Sequence, residues 1–195
     1  MTNLIRPTIV LLALLTLITG AAYPLLVTAI GQTVMADQAN GSLITRNGRT
    51  IGSSLIGQSF ASQKYFWSRP SATSPMPNNA SASSGSNLGP TNPALKDAVA
   101  GRVDVLQKAN AANKQTVPID LVTASASGLD PDISEAAARY QTSRVAAARN
   151  LTDAQVSAVI DANRQGALFG FLGEPRINVL RLNLALDVLS ASARQ

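Results

Sequence analysis

Polar and apolar residues are spread very unevenly along this chain. No charged residue occurs from position 7 to position 36, and residues 9–30 are apolar nearly throughout. After them, polar and apolar residues alternate at the spacing of ordinary soluble elements. A helix rises ~1.5 Å per residue and a bilayer core is ~30 Å thick, so ~20 apolar residues suffice to cross it. The pattern predicts a membrane-spanning helix and its flank over residues 1–36, followed by a soluble domain over 37–195. A cleaved signal peptide is the competing reading, with Val34 and Ala36 as small residues before the cut. Signal cores run only ~7–15 residues, which favours the anchor. A free exported binding protein released after Ala36 is the alternative, distinguishable by intact mass. Gly20 and Pro24 are poor choices for an isolated soluble helix but are tolerated in membranes, where Gly permits close helix approach and neighbours re-satisfy a kinked backbone.

Beyond the span, residues 42–60 mix short apolar pairs with Gly48, Gly52 and Gly57 and predict a small β-hairpin. Tyr65, Phe66 and Trp67 follow in a row, three of the eight aromatic residues in the chain, so anchoring the core outweighs a binding platform. Residues 73–93 are dense in Ser, Asn, Pro and Gly and have the composition of a flexible linker or a functional loop. A helix then opens with Asn92 as cap and Pro93 at its first position, and carries Leu95, Val99, Val103 and Leu106 on one face. Residues 110–115 close it. Residues 117–123 read as a strand, and a second helix is expected from Asp130, as cap before Pro131, to about Arg149. Thr152 with Gln155 makes a capping box, Leu151 with Val156 a hydrophobic staple, and Gly166 is the expected stop of the third helix. Residues 177–182 read as another strand, after which Asn183 is placed to cap a short helix. Strands and helices mix without a βαβ repeat, so the expected class is α+β.

Charge and residue chemistry narrow the function. The formal net charge of +5 is spread thinly, with no basic block of the kind that binds nucleic acid. Arg6 precedes the span while Asp37, Arg46 and Arg49 follow it, so charge balance leaves the orientation open. The chain has no cysteine and no histidine, which excludes disulfides, thiolate and imidazole metal sites, and histidine-dependent catalysis. No Walker phosphate loop occurs. Asp130 and Asp132 can hold a divalent ion, or more simply favour the positive end of a helix. Ser62 and Lys64 raise a membrane-anchored Ser-Lys hydrolase, in which a desolvated lysine serves as base, but they lack a diagnostic spacing. The glycines at 170 and 173 precede a strand and read as a turn, since a phosphate cradle leads into a helix. These residues alone assemble no catalytic set and no metal site.

Longer motifs carry a resemblance. They are Asn40-Gly41-Ser42-Leu43-Ile44, Leu55-Ile56-Gly57-Gln58, Arg69-Pro70-Ser71-Ala72, Ser86-Asn87-Leu88, and the run from Leu121 to Asp130. Arg144-Val145-Ala146, Ala148-Arg149-Asn150-Leu151 and Leu182-Asn183-Leu184-Ala185-Leu186-Asp187 continue them, and Tyr23-Pro24 lies within the span. Together they resemble, end to end, the C subunit of the Kdp-type potassium-transporting P-type ATPase (the KdpC family). The resemblance implies a non-catalytic subunit of an ATP-driven, high-affinity potassium uptake complex. It implies assembly and stabilisation of that complex and action as a catalytic chaperone that raises ATP affinity in the ATP-hydrolysing subunit. The phosphorylated aspartate is then on another chain, and the subunit has no cofactor of its own. The implied partners are a channel-like potassium-binding subunit, the P-type subunit, a small single-span subunit and membrane lipid. The implied location is the bacterial inner membrane, with the N-terminus cytoplasmic and the soluble domain outside. Gln141 is matched to a glutamine linked to nucleotide affinity, and Gly20, Tyr23 and Pro24 are packing candidates in the span.

Overall fold

A computed structural model describes residues 4–192, and the chain divides into two units after Leu43. In the first unit, α1 (Ile5–Leu17), one wide π-turn (Ile18–Ala22) and α2 (Tyr23–Val34) form a single uninterrupted helix. The wide turn has a local cause. Pro24 has no N–H, and its ring crowds the carbonyl four residues back, that of Gly20. The Tyr23 N–H bonds instead to the Ile18 carbonyl, five residues back, and the helix continues without a break. Thr8, Thr19 and Thr33 turn their hydroxyls onto carbonyls one turn earlier, which satisfies them within the helix as an apolar solvent requires. The 30 residues from Ile5 to Val34 are long and apolar enough to cross a membrane, and none of them is buried. A one-turn helix, α3 (Ala36–Ala39), follows.

The second unit begins in a hairpin, β1 (Leu43–Arg46) paired with β2 (Arg49–Ser53). Asn47 and Gly48 turn it with positive φ at both positions, the conformation these residues adopt most readily. The hairpin is shorter than the 42–60 segment that predicted it. After a long coil come α4 (Pro93–Ala109), β3 (Asp132–Ser134), α5 (Glu135–Arg149), α6 (Asp153–Asn163), β4 (Arg164–Gln165), β5 (Arg176–Asn178) and α7 (Val179–Ser192). The three short strands form an antiparallel sheet in the order β3-β5-β4, with Ile133 opposite Ile177 and Arg164 also opposite Ile177. One apolar helix followed by helices and small sheets makes the α+β class that the sequence predicts.

The core sits where α5, α6 and α7 meet the sheet, around Phe66, Ile133, Val145, Val156, Ile160, Ile177, Leu182 and Leu186. Of these, Phe66 comes from the coil, and burying its ring contributes ~1.5–3 kcal/mol. α5 is the central helix: Ala137, Ala138, Val145 and Ala146 are buried, and so are Gln141, Thr142 and Arg144. It ends on Asn150 in the left-handed conformation, with Asn150 N–H on Ala147 O and Leu151 N–H on Ala146 O. That is a Schellman closure with asparagine in the usual glycine place. The Thr152–Gln155 capping box then starts α6 as the sequence predicts.

Four local expectations are corrected. Residues 117–123 form a single 3₁₀ turn, Ile119–Leu121, instead of a strand. Pro118 offers no ladder N–H, and Leu121 and Val122 are both buried, which an alternating strand with one wet face does not allow. α5 starts at Ser134, whose hydroxyl accepts the Ala137 N–H, and not at Asp130. The intervening residues are drawn into β3, and the Pro131 carbonyl accepts the Val179 N–H. α6 stops at Asn163, before Gly166, because Arg164 and Gln165 pair with β5. The last strand ends at Asn178, whose carboxamide accepts the Arg181 N–H and so starts α7 earlier than an Asn183 cap would.

The segment with linker composition is tied down by side chains. Ser71 Oγ donates to Gly128 O at 2.6 Å and accepts the Asn78 N–H at 2.9 Å. Thr73 Oγ1 donates to Met76 O and accepts the Asn79 N–H, and the Ser84 N–H reaches Ser127 O at 3.0 Å. Short polar side chains are what lets a coil without secondary structure satisfy its backbone. Gly128 is required at this junction. Its φ is +68°, and a Cβ there would stand 2.6 Å from Ser84 O.

Candidate functional site

Coil residues 63–67 run between α5 and α7 and are held from both sides by polar side chains. Consecutive residues of an extended chain point their N–H and C=O groups to opposite edges. On one edge, Asn183 of α7 accepts the Phe66 N–H at 2.8 Å and donates to Phe66 O at 3.1 Å. On the other, Gln141 of α5 accepts the Trp67 N–H at 2.8 Å and donates to Trp67 O at 3.1 Å. Two carboxamides thus replace the neighbouring strands of a sheet.

Two arginines complete the arrangement. Arg144, one turn after Gln141, donates to Gln141 Oε1 at 2.6 Å, to Gln63 O at 2.6 Å and to Tyr65 O at 3.1 Å. Its guanidinium lies 4.4 Å from the centre of the Trp67 ring. Arg144 is buried, and among the described residues no carboxylate pairs with it. Burial pulls its pKa down to about 10, and carbonyl oxygens and the indole face supply the compensation that a counter-ion would otherwise give. Arg149 donates to Lys64 O at 2.6 Å, Ser190 Oγ at 3.0 Å and Asp187 Oδ1 at 2.9 Å, and stacks over the Tyr65 ring. The Tyr65 hydroxyl donates to the other oxygen of Asp187.

Gln141 is therefore buried with its oxygen accepting two hydrogen bonds and its nitrogen donating two, the second to Ala137 O. No part of the amide is free for an external ligand in this conformation. Ser62 and Lys64 are both exposed; the Lys64 ammonium rests 5.2 Å from the Tyr65 ring centre, and Ser62 O accepts the Trp67 indole N–H. An exposed lysine is the reverse of the desolvated base that a Ser-Lys hydrolase uses. Asp130 and Asp132 do not stand at the start of α5. Asp130 pairs with Arg69 at 2.8 Å and accepts the Asp132 N–H, while Asp132 meets Arg176 and Asn178. The positive end of α5 is met by Glu135 instead. Residues 168–173 form a turn, as the order of elements implies. In the first unit, Gly20 has open space where a Cβ would stand, Tyr23 is exposed, and Pro24 opens α2 behind the π-turn.

Sequence reasoning assigned no role to Arg144, Arg149 or Asp187 and read Asn183 as a cap. The signal was present as spacing: Asn183, Asp187 and Ser190 recur at i, i+4 and i+7 on an otherwise Leu- and Ala-rich helix, a polar stripe where an apolar one would pack.

An apolar helix of membrane-spanning length and an α+β body in which a polar clamp immobilises a coil define the architecture of this protein. The model of the family described as K+-transporting ATPase, c chain (KdpC) matches residues 5–188, and the chain belongs to that family. It is 60% identical to a potassium-transporting ATPase KdpC subunit of Variovorax paradoxus (strain S110) over 194 residues, covering 100% of both chains. It is 59% identical to that of Herminiimonas arsenicoxydans over 187 residues, 96% of this chain and 98% of the other. The corresponding subunit of Burkholderia orbicola (strain MC0-3) is 58% identical over 192 residues, 98% of this chain and 100% of the other.

Proposed function

We propose that this chain is a non-catalytic subunit of an ATP-driven, high-affinity potassium uptake complex in a bacterial inner membrane. The observation that supports the reading is the match, along essentially the whole chain, to relatives named as KdpC subunits of a potassium-transporting ATPase. In this reading the helix Ile5–Val34 crosses the membrane once, with the N-terminus inside and the soluble unit outside. The chain helps assemble and stabilise the complex with a channel-like potassium-binding subunit, a P-type subunit carrying the phosphorylated aspartate, and a small single-span subunit. It raises ATP affinity in the P-type subunit without contacting nucleotide, because an affinity change can travel as a coupling free energy between distant sites. The internal engagement of all the hydrogen-bonding groups of Gln141 supports an indirect route: Gln141 sets the position of residues 63–67, and that segment is what the assembled complex senses.

The test is complementation. Cells lacking the chain should fail to grow when potassium is limiting and recover with the wild type or with Lys64→Met. Recovery with the wild type but not with Lys64→Met would return the hydrolase reading. In purified complex, Gln141→Leu should weaken the apparent ATP affinity of hydrolysis; an unchanged affinity in an intact complex rejects the chaperone route.

A further inference from the structure

The most conspicuous apolar surface of the soluble unit is the turn between β4 and β5. Leu168, Phe169, Phe171 and Leu172 are 62%, 79%, 75% and 50% exposed, so two of the four phenylalanines in the chain stand in solvent on one loop. The loop is well formed. Leu168 and Leu172 bridge each other through both of their N–H groups at 2.9 Å, and the Gly170 and Phe171 N–H groups bond to Ala167 O and Leu168 O. Phe169 has a φ of 55° and Gly170 one of 81°. The hairpin β1–β2 makes its turn with the same signs of φ at Asn47 and Gly48, the residues that favour this conformation. A phenylalanine there is a strained choice without local reward, and such departures cluster where function demands them.

We propose that this tip is a docking anchor for another polypeptide of the potassium-transporting complex, which receives Phe169 and Phe171 in an apolar recess. Four large side chains exposed to this degree present an apolar patch on the order of 500 Å². A stable interface takes ~800 Å² from each partner, with an apolar centre and a polar rim. The tip supplies the centre, and Arg164, Glu174 and Arg176 beside it supply a rim. Charge separates a protein partner from a lipid surface. Arg164 is engaged by Glu135 at 2.7 Å and Arg176 by Asp132 at 3.0 Å, while Glu174 adds an acid. The tip therefore lacks the free basic residues with which interfacial segments meet anionic headgroups. The preformed turn keeps the cost of ordering the anchor low.

This inference rests on the subunit reading above, and one experiment separates the two. A photo-crosslinking phenylalanine at position 169 of the full-length chain, irradiated in membranes containing the complex, should give an adduct with another subunit. An adduct with lipid alone, or none, overturns the tip as a protein anchor. In parallel, Phe169→Asp with Phe171→Asp should lower recovery of the other subunits with the tagged chain at least tenfold after mild extraction, while Phe169→Leu with Phe171→Leu should retain most of it. Phe169→Asn relieves the backbone, so its thermal midpoint should equal or exceed that of the wild type while assembly falls, a combination that a purely structural residue does not produce. If the wild type recovers the other subunits and the double aspartate variant does so equally, the tip proposal alone fails. If the wild type recovers none, both readings fail.

Discussion

Gln141 holds Trp67 by both polar groups of its backbone, accepting its N–H at 2.8 Å and donating to its carbonyl at 3.1 Å, across 74 positions of sequence. Asn183 does the same for Phe66 from the opposite edge. Phe66 and Trp67 thus have the hydrogen bonds of a central strand without any strand beside them, and Arg144 and Arg149 fasten the carbonyls of Gln63, Lys64 and Tyr65 in the turn before them.

Replacing Gln141 with leucine leaves the Trp67 N–H and the Arg144 guanidinium short of an acceptor in a buried place. A loss of ~2–4 kcal/mol in folding stability is expected. Gln141→Glu keeps both acceptor functions and gives Arg144 a counter-charge, which offsets the repulsion between its second oxygen and the carbonyls of Trp67 and Ala137, so it should cost less. Denaturant unfolding of the two variants checks the order; equal losses would mean that Arg144 does not depend on Gln141.

The junction of the 73–93 coil with Gly128 is a second weak point. Gly128→Ala combines a left-handed backbone with a Cβ pressed against Ser84 O and Thr73, and should destabilise by ~2–4 kcal/mol. Gly89→Ala, where the added methyl meets nothing, should stay within ~0.5 kcal/mol. Thermal midpoints of the pair distinguish a tied-down coil from a slack one, in which both changes would be silent.

Two neighbouring carboxylates give opposite acid responses. Burial raises the pKa of Asp132 above 3.8, with Asn178 opposing and Asp130 adding to the rise. Its contribution to stability is present at low pH and is lost as pH climbs through the raised value. Hydrogen bonds from Arg139 and Arg164 lower the pKa of Glu135 below 4.5, so its contribution is present above 4.5 and is lost as pH falls through the lowered value. Glu135→Gln should therefore flatten the acid loss of stability, and Asp132→Asn should steepen it. Melting curves from pH 3 to pH 6, on the order of the ordinary carboxylate range, read both slopes; slopes that change in the same direction would contradict the assignment.

The proposed topology has a direct check, because the native chain has no cysteine. Ser84 is exposed on the soluble unit. Ser84→Cys should react with a membrane-impermeant maleimide in intact cells, and protection until the membrane is opened would place the soluble unit inside.

The apolar helix, the cap of α4 and the capping box of α6 were legible because each is specified within a few residues. The strand expected at 117–123 and the Asp130 cap failed where a long-range partner took the backbone: β5 claimed residues 132–134, and Leu121 and Val122 were both drawn into the interior. The family, too, was readable from contiguous motifs, although the motifs did not say why Arg144, Arg149, Asn183 and Asp187 recur in them.

The sequence by itself determined the membrane-length helix, the α+β class and the absence of any histidine- or cysteine-based chemistry, since these follow from local composition and spacing. Only the tertiary structure decided that a glutamine and an asparagine on separate helices grip adjacent residues of one coil, and that two phenylalanines face solvent while a third is fully buried. The physical reason is range. Helix propensity and capping act within one or two turns, whereas the partner of a buried amide, or the covering of an aromatic ring, is set by segments that meet only after the chain has folded.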